Sequence, residues 1–560
     1  LLTNRLDYRP RSSRGLRLLA AVACGVLPFV WTADSQAYKT EIGYLQLIDE
    51  YEGTLPTGAG VLVSMVEANA STSSTTHLFL PESSSEFLAG QTITNGSSVS
   101  SPGVSDHATN MARNFFGSTR SVAFGVTQVT VYEADHYLNS ILNLTPANAG
   151  PPDVPTYKVQ NHSWVGSFDS SSNNLETLRR LDYLIDTYDT IVPVGLNNAS
   201  QSDYTELMAQ SYNAIAVGRS DAGHIGGPTP FSSYGPGRLK PDIVSSPTAT
   251  SAATASVSSV ATMLYQSATD TANFANADAD AARSETMKAI LMAGATKEEF
   301  PTWENASPTQ PLDLVYGAGE LNVRNSFFIQ QGGQFDGAAS AGGTVVDDYG
   351  WDYGEVNSGQ SLFYDLSVPD FHSDGVLSVV LAWNVEITDT NSGSQFSPTQ
   401  SLANLDLKLW DSTGAPLDAV LATSVSTKDN VEHVYLTGLD AGDYTIEVLS
   451  TSGDRDFGLA WRLDYEAPYR VTGDYNEDGV VDAADFTLWR DTVGSTSNLA
   501  ADGDLNGVVD QGDYDLWRTA YGSLHTPPGA ISATLAAVPE PATLTMPAGA
   551  AMILGRRRRR

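Results

Sequence analysis

The chain has 560 residues, 30 Lys and Arg against 65 Asp and Glu, a formal net charge of −35, and a single cysteine, Cys24. That length holds several domains, an apolar share of 41% supplies real cores, and one cysteine excludes a disulfide scaffold. A strong negative field repels phosphate backbones and anionic lipid, which argues against nucleic acid as a partner and for cations.

The first elements belong to an export segment. Arg5, Arg9, Arg11, Arg14 and Arg17 precede an apolar stretch from Leu18 to Trp31 and the small-residue run Ser35-Gln36-Ala37. This is the build of a secretory signal peptide over residues 1–37, cleaved after Ala37, and it predicts an extracellular or cell-surface protein. A lipoprotein box at Ala21-Val22-Ala23-Cys24 is the weaker reading, because it lacks the usual Leu.

Over residues 38–330, strand-like runs alternate with runs at helical spacing. Strands are expected at 61–66, 126–132, 158–161, 191–195 and 215–218, and helices at 107–116, 175–188, 250–266 and 284–293. That alternation predicts an α/β domain with a mostly parallel sheet. Over residues 331–466 the texture turns to short alternating strands at 377–383, 405–410, 433–436 and 444–449, the pattern of an antiparallel β-sandwich.

Residues 467–524 hold an internal duplication. Asp474, Asn476, Asp478, Val480, Asp482 and Asp485 recur, offset by 28 residues, as Asp502, Asp504, Asn506, Val508, Asp510 and Asp513. Oxygen side chains at loop positions one, three, five, nine and twelve, a glycine at six and a main-chain carbonyl at seven suit Ca²⁺. Aspartate at position twelve and one helix per loop make the pair resemble a type I dockerin, a small helical module. That resemblance implies two bound calcium ions and a cohesin-like or surface partner. Trp489 and Trp517 are read as core anchors. Residues 525–560 carry Val538-Pro-Glu-Pro-Ala-Thr543, an apolar patch and Arg556 to Arg560, which resemble a PEP-CTERM signal read by sorting machinery. The sandwich resembles, loosely, the jelly-roll domains behind secreted bacterial peptidases.

The stretch Phe231-Ser-Ser-Tyr-Gly-Pro-Gly-Arg-Leu-Lys-Pro-Asp-Ile-Val244, followed by Ala249-Thr-Ser-Ala-Ala-Thr-Ala255, resembles the nucleophile region of the subtilisin-like serine proteases. A serine at a helix N-terminus has unpaired N–H groups and the positive dipole end beside it, suited to an oxyanion. The resemblance makes Ser251 the nucleophile. Ser105-Asp-His-Ala-Thr-Asn-Met-Ala112 is similar to the segment carrying the general base, which implies His107. Ile191-Val-Pro-Val-Gly-Leu-Asn-Asn198 implies Asn197 as oxyanion donor, with Asn198 one residue away as the alternative. Val159-Gln-Asn-His-Ser-Trp164 is similar to the strand end between those two segments.

Gly60-Val-Leu-Val-Ser-Met-Val-Glu67 matches the strand that ends in the triad aspartate of that family, but Glu67 stands there. A glutamate can fix the histidine tautomer if the backbone retreats to absorb one methylene. Sedolisin-like relatives use a glutamate paired with an aspartate on a helix, whereas Glu67 is read on a strand. Ala249, Ala255, Ser256 and Ala108 also depart from the family pattern. The expected function is a secreted serine endopeptidase acting on protein or peptide substrates. The rival is a catalytically silent surface protein that uses the same fold for adhesion or partner binding.

Overall fold

The computed structural model describes residues 33–523, apart from 52, 72–74, 145–149, 199–206, 230–233, 236, 246–247, 370–372, 392–394, 467–472, 477–479 and 504–505. The export segment up to residue 32, the sorting tail, and the loop residues Asp478 and Asp504 lie outside these described residues. Chain contacts divide the protein into Leu1–Ala467 and Pro468–Arg560. Among the described residues no helix is long and apolar enough to cross a membrane.

The first unit is built on a seven-stranded parallel sheet. Its strands are β1 (Val63–Glu67), β2 (Thr92–Asn95), β3 (Gln128–Glu133), β4 (Val159–His162), β5 (Pro193–Gly195), β6 (Ile215–Arg219) and β7 (Ile243–Ser245). Their order across the sheet is β7-β6-β5-β4-β1-β3-β2. Helices cover both faces, so β1 and β4 are buried at every residue and lack the alternation of a half-exposed strand. In register, Glu67 stands opposite Glu133 and Val66 stands beside His162, which brings the C-terminal ends of β1, β3 and β4 together.

The helices are α1 (Ala33–Glu41), α2 (Tyr44–Glu50), α3 (Asp106–Phe115), α4 (Ser171–Tyr188), α5 (Thr250–Thr269), α6 (Ser284–Ala293) and α7 (Val323–Gly332). The expected cleavage after Ala37 falls inside α1, and Tyr38 and Lys39 just beyond it are buried. Helix α5 runs through the core with every residue buried except Ser251, Tyr265 and Thr269. Its hydroxyls are satisfied locally, because Thr254, Ser256, Ser258 and Thr262 each donate to the carbonyl four residues earlier. A Ser/Thr-rich helix can therefore be buried without stranded polar groups.

Residues 344–466 form two mainly antiparallel sheets. One contains β8 (Tyr349–Val356), β10 (Ser373–Ala382), β13 (Val431–Leu439) and β15 (Arg455–Glu466). The other contains β9 (Ser361–Val368), β11 (Asn404–Asp411), β12 (Ala419–Ser424) and β14 (Gly442–Ser452), with the short strand Thr344–Val345 at its edge. Leu377, Val379, Leu381, Leu459 and Trp461 point into the core shared by the two sheets, with Leu405, Leu407, Ile446 and Val448. Alternate residues Val380, Ala382 and Ala460 point the other way, into the core of the α/β half with Met287, Ile290 and Leu291 of α6. The four-stranded sheet is thus buried on both faces. A fully buried aliphatic side chain contributes about 1.5–3 kcal/mol, so this shared seam fixes the sandwich to the α/β half. Gly458 is where α6 comes closest, since a Cβ there would lie 2.4 Å from the Thr286 Cα.

In the second unit, α8 (Ala483–Thr492) and α9 (Gln511–Ala520) each follow one acidic loop and open with the same capping box, Asp482 with Asp485 and Asp510 with Asp513. The Trp489 indole donates to the Asp510 carbonyl at 2.8 Å and the Trp517 indole to the Asp482 carbonyl at 2.7 Å. The duplication in sequence is thus a reciprocal duplication in space.

Candidate active site

Ser105 caps α3, its Oγ accepting the Ala108 N–H, and this places His107 in the first turn beside the end of β1. Glu67, the last residue of β1, is 1% exposed, and its Oε2 lies 2.7 Å from His107 Nδ1. Its Oε1 has no hydrogen-bond partner among the described residues. An unmade bond at a buried oxygen costs about 1–3 kcal/mol, a strain tolerated where a charged partner holds the other oxygen. Burial pushes the Glu67 carboxyl above its ordinary value against the pull of His107. Burial opposes the charged imidazole of His107, but the hydrogen bond and charge of Glu67 outweigh it and hold that ring above 6.5. The His107 side chain remains 46% exposed, so its far nitrogen is open to a reacting group.

Ser251 is the second residue of α5. Ala249, extended at φ −166°, precedes the helix without a side-chain cap, and Asn198 Oδ1 accepts the Thr250 N–H at 3.1 Å. Ser163, one residue past β4, donates from Oγ to the Ser251 carbonyl at 2.9 Å. Asn161 Oδ1 in turn accepts from Ser163 Oγ and Ser258 Oγ, both at 3.1 Å, which ties the strand end to the helix. The nucleophile candidate is thus positioned from two adjoining strands.

Asn197, expected as the oxyanion donor, is fully buried, whereas its neighbour Asn198 is half-buried and sits at the mouth of α5. Among the described residues, no hydrogen bond joins Ser251 Oγ to His107.

A second polar chain escapes the sequence reading. Gln160 Nε2 donates to Ser64 Oγ at 2.8 Å, and Gln160 Oε1 lies 2.8 Å from His162 Nε2. The Trp164 indole N–H donates to His162 Nδ1 at 3.2 Å. These partners fix the tautomer: the proton is on Nε2 and Nδ1 accepts. Burial pushes the His162 imidazole down to about 3, so it stays neutral and holds the half-buried Trp164 beside Ser163. Polar letters in a fully buried strand were the only signal of this chain.

In the second unit, Asp485 Oδ1 accepts the N–H groups of Tyr475 and Asn476 at 2.7 and 2.9 Å, and its Oδ2 that of Asp482 at 2.8 Å. Asp513 does the same for Gly503 and Asp510, at 2.6 and 2.7 Å. Asp502 accepts from Asn506 and Gly507, and Gly507 turns at φ +87°, a left-handed conformation that favours glycine. Asp474 and Asp502 are 8% and 3% exposed, and the Val480 and Val508 residues are half-buried in their loops. Among the described residues no three His, Cys, Asp or Glu side chains converge as a ligand group. The donor set of aspartate, asparagine and main-chain carbonyl groups is all hard oxygen, which fits calcium in its chemistry.

No family model and no curated protein matches the chain. Among solved structures it is similar to fervidolysin from Fervidobacterium pennivorans, a keratinolytic enzyme related to subtilisin, at 14% identity over 74% of this chain and 61% of that one, with a TM-score of 0.35. It is also similar to Pseudomonas sedolisin, a serine-carboxyl proteinase, at 15% identity over 53% of this chain and 98% of that one, TM-score 0.33. The prenylagaramide maturation protease PagA matches at 15% identity over 50% and 96%, TM-score 0.31. Scores this low carry no assignment of fold or activity.

Proposed function

We propose that this chain is an exported serine endopeptidase of the subtilisin-like kind. The observation that carries the reading is the 2.7 Å contact between Glu67 and His107, made at the ends of the parallel strands where α5 presents Ser251 on its first turn. Neutral His107 takes the Ser251 Oγ proton as that oxygen bonds to a peptide carbonyl carbon, then returns it to the leaving amine. Glu67 holds Nδ1–H and stabilises the imidazolium formed midway. The oxyanion sits at the positive end of α5, bonded by the Ser251 N–H and by the side-chain NH₂ of Asn198, chosen over Asn197 because it lies at that helix mouth. Hydrogen bonds between nucleophile and base often close only with substrate bound, and that closure completes the triad here.

The two acidic loops would hold calcium through Asp474, Asn476, Asp478, the Val480 carbonyl, Asp482 and Asp485, and through their equivalents Asp502, Asp504, Asn506, Val508, Asp510 and Asp513. The ion offsets carboxylate repulsion and folds the module, which then docks a cohesin-like or surface partner.

The test is labelling of the purified, calcium-loaded protein with a fluorophosphonate, beside Ser251→Ala. Labelling confined to the parent supports the hydrolase. A folded parent that does not react supports the silent surface scaffold.

A further inference from the structure

Where the sandwich lies back on the α/β half, three basic side chains are buried together. Lys297 follows α6, His433 comes from β13 and Arg462 from β15. Arg462 and Tyr435 both stand opposite Ser378, and His433 is two residues from Tyr435, so all three project from one face of the sheet. That face meets Trp303, whose ring packs edge-on against His433 at 5.7 Å and Tyr435 at 5.3 Å. Lys297 Nζ lies 4.3 Å from the Tyr435 ring centroid and 5.3 Å from that of Trp303. Lys297 and Arg462 are each 5% exposed and His433 is fully buried. Trp303 and Tyr435 are only half-buried, which leaves the cluster an opening.

Hydrogen bonding within the protein does not use these donors up. Arg462 Nη1 is paired with Asp464, but Nε and Nη2 have no partner among the described residues, and neither has His433 Nδ1. Lys297 Nζ reaches one acceptor, the Ala295 carbonyl at 3.2 Å. The nearby acids are engaged elsewhere: Glu298 accepts the Lys297 main-chain N–H, and Asp464 also accepts from the Tyr349 hydroxyl. Burial and the repulsion of Arg462 hold the Lys297 ammonium well below its ordinary value, and burial with both cations does the same to His433. Three groups that would carry positive charge thus face one another without enough negative charge between them. Nε and Nη2 lie along one edge of the guanidinium, and such an edge presents two parallel N–H groups to two oxygens of a single anion.

We propose that this junction is a binding site for a small oxyanion, a carboxylate, sulfate or phosphate group that presents two oxygens to Arg462 Nε and Nη2. Lys297 supplies the second positive charge, and Trp303 and Tyr435 form the walls. Its residues come from both halves of the first unit, so an occupied site also ties the sandwich to the α/β half.

Isothermal titration of the full chain with sodium acetate, sodium sulfate and sodium phosphate tests this, with sodium chloride at matched ionic strength as the reference. Saturable binding of at least one oxyanion is expected, and which salt binds identifies the source. In Arg462→Lys, which keeps the charge and loses the two-donor edge, affinity falls about tenfold or more. Lys297→Met gives a comparable loss and stands in if Arg462→Lys does not fold by circular dichroism. Absence of saturable heat with all three salts, equal binding of chloride, or binding undiminished in both variants overturns the proposal.

Discussion

Glu67 in the first unit and Asp485 in the second are both buried carboxylates, at 1% and 0% exposure, yet different means hold them. The first unit has a large apolar core that includes Val63, Met65, Val131, Val159 and the apolar residues of α5, and this core fixes the strand ends whatever the acid does. Around Asp485 the buried apolar residues among those described are few, Tyr475, Val481, Ala501 and Val509, and the carboxylate itself organises its loop by gathering three main-chain N–H groups. A core that size cannot offset the ordering of two acidic loops. The first unit sets its candidate site on a large apolar core, whereas the second relies on buried carboxylates that gather main-chain N–H groups, which is why calcium is proposed to stabilise it.

The sharpest way to break that contrast is at Glu67. Glu67→Gln leaves the fold intact and reduces kcat by about 10⁴-fold with little change in KM, measured on a peptide substrate, because the tautomer and the imidazolium both lose their support. Unchanged kcat removes Glu67 from the mechanism. Calcium removal is the matching test on the second unit. A chelator added to the full chain abolishes one calorimetric transition and the near-ultraviolet signal of Trp489 and Trp517, and leaves the main transition in place. A chelator-indifferent protein contradicts the need for a ligand.

Gly458→Val tests the claim that the first unit is one packed body. The added side chain meets the Thr286 backbone, so the midpoint of urea unfolding drops by an amount equivalent to about 3 kcal/mol. The smallest effect concerns Glu285, which burial first and the charge of Asp456 next push up to about 7 from 4.5. The folded protein keeps that proton at pH values where the unfolded chain has lost it. Its contribution is therefore complete below pH 4.5 and is lost as pH rises through 7. Glu285→Gln flattens the fall in Tm across that window, and an identical fall in the variant assigns the slope elsewhere.

Much of the architecture was legible because its signals are local. Helix α5 could be read from its run of small residues, and β1 from Val-Ser-Met-Val ahead of a charged end. Strand β2, Thr92–Asn95, was not legible: it is a polar edge strand whose identity comes from pairing with β3. Strand β7 is apolar and buried at every residue, but its three residues, Ile243–Ser245, are too short a run to read as a strand from sequence. At the site, the residue types at Glu67, His107 and Ser251 carried their own chemistry. Residue type does not separate Asn197 from Asn198, whose difference in burial exists only in the fold. Residues 159–164 were legible as a strand end, but the hydrogen-bonded chain of Gln160, His162 and Trp164 was not, because it depends on β4 being buried throughout, and Lys297, His433 and Arg462 meet only because the sandwich folds back on α6.

The central claim is that Glu67 raises and orients the base that activates Ser251. It is tested most directly by the pH dependence of fluorophosphonate labelling in the parent and in Glu67→Gln. Labelling of the parent is expected to rise with pH through a midpoint above 6.5, where His107 loses its proton, and the variant is expected to react more slowly with a lower midpoint. Equal rates and a shared midpoint would contradict it.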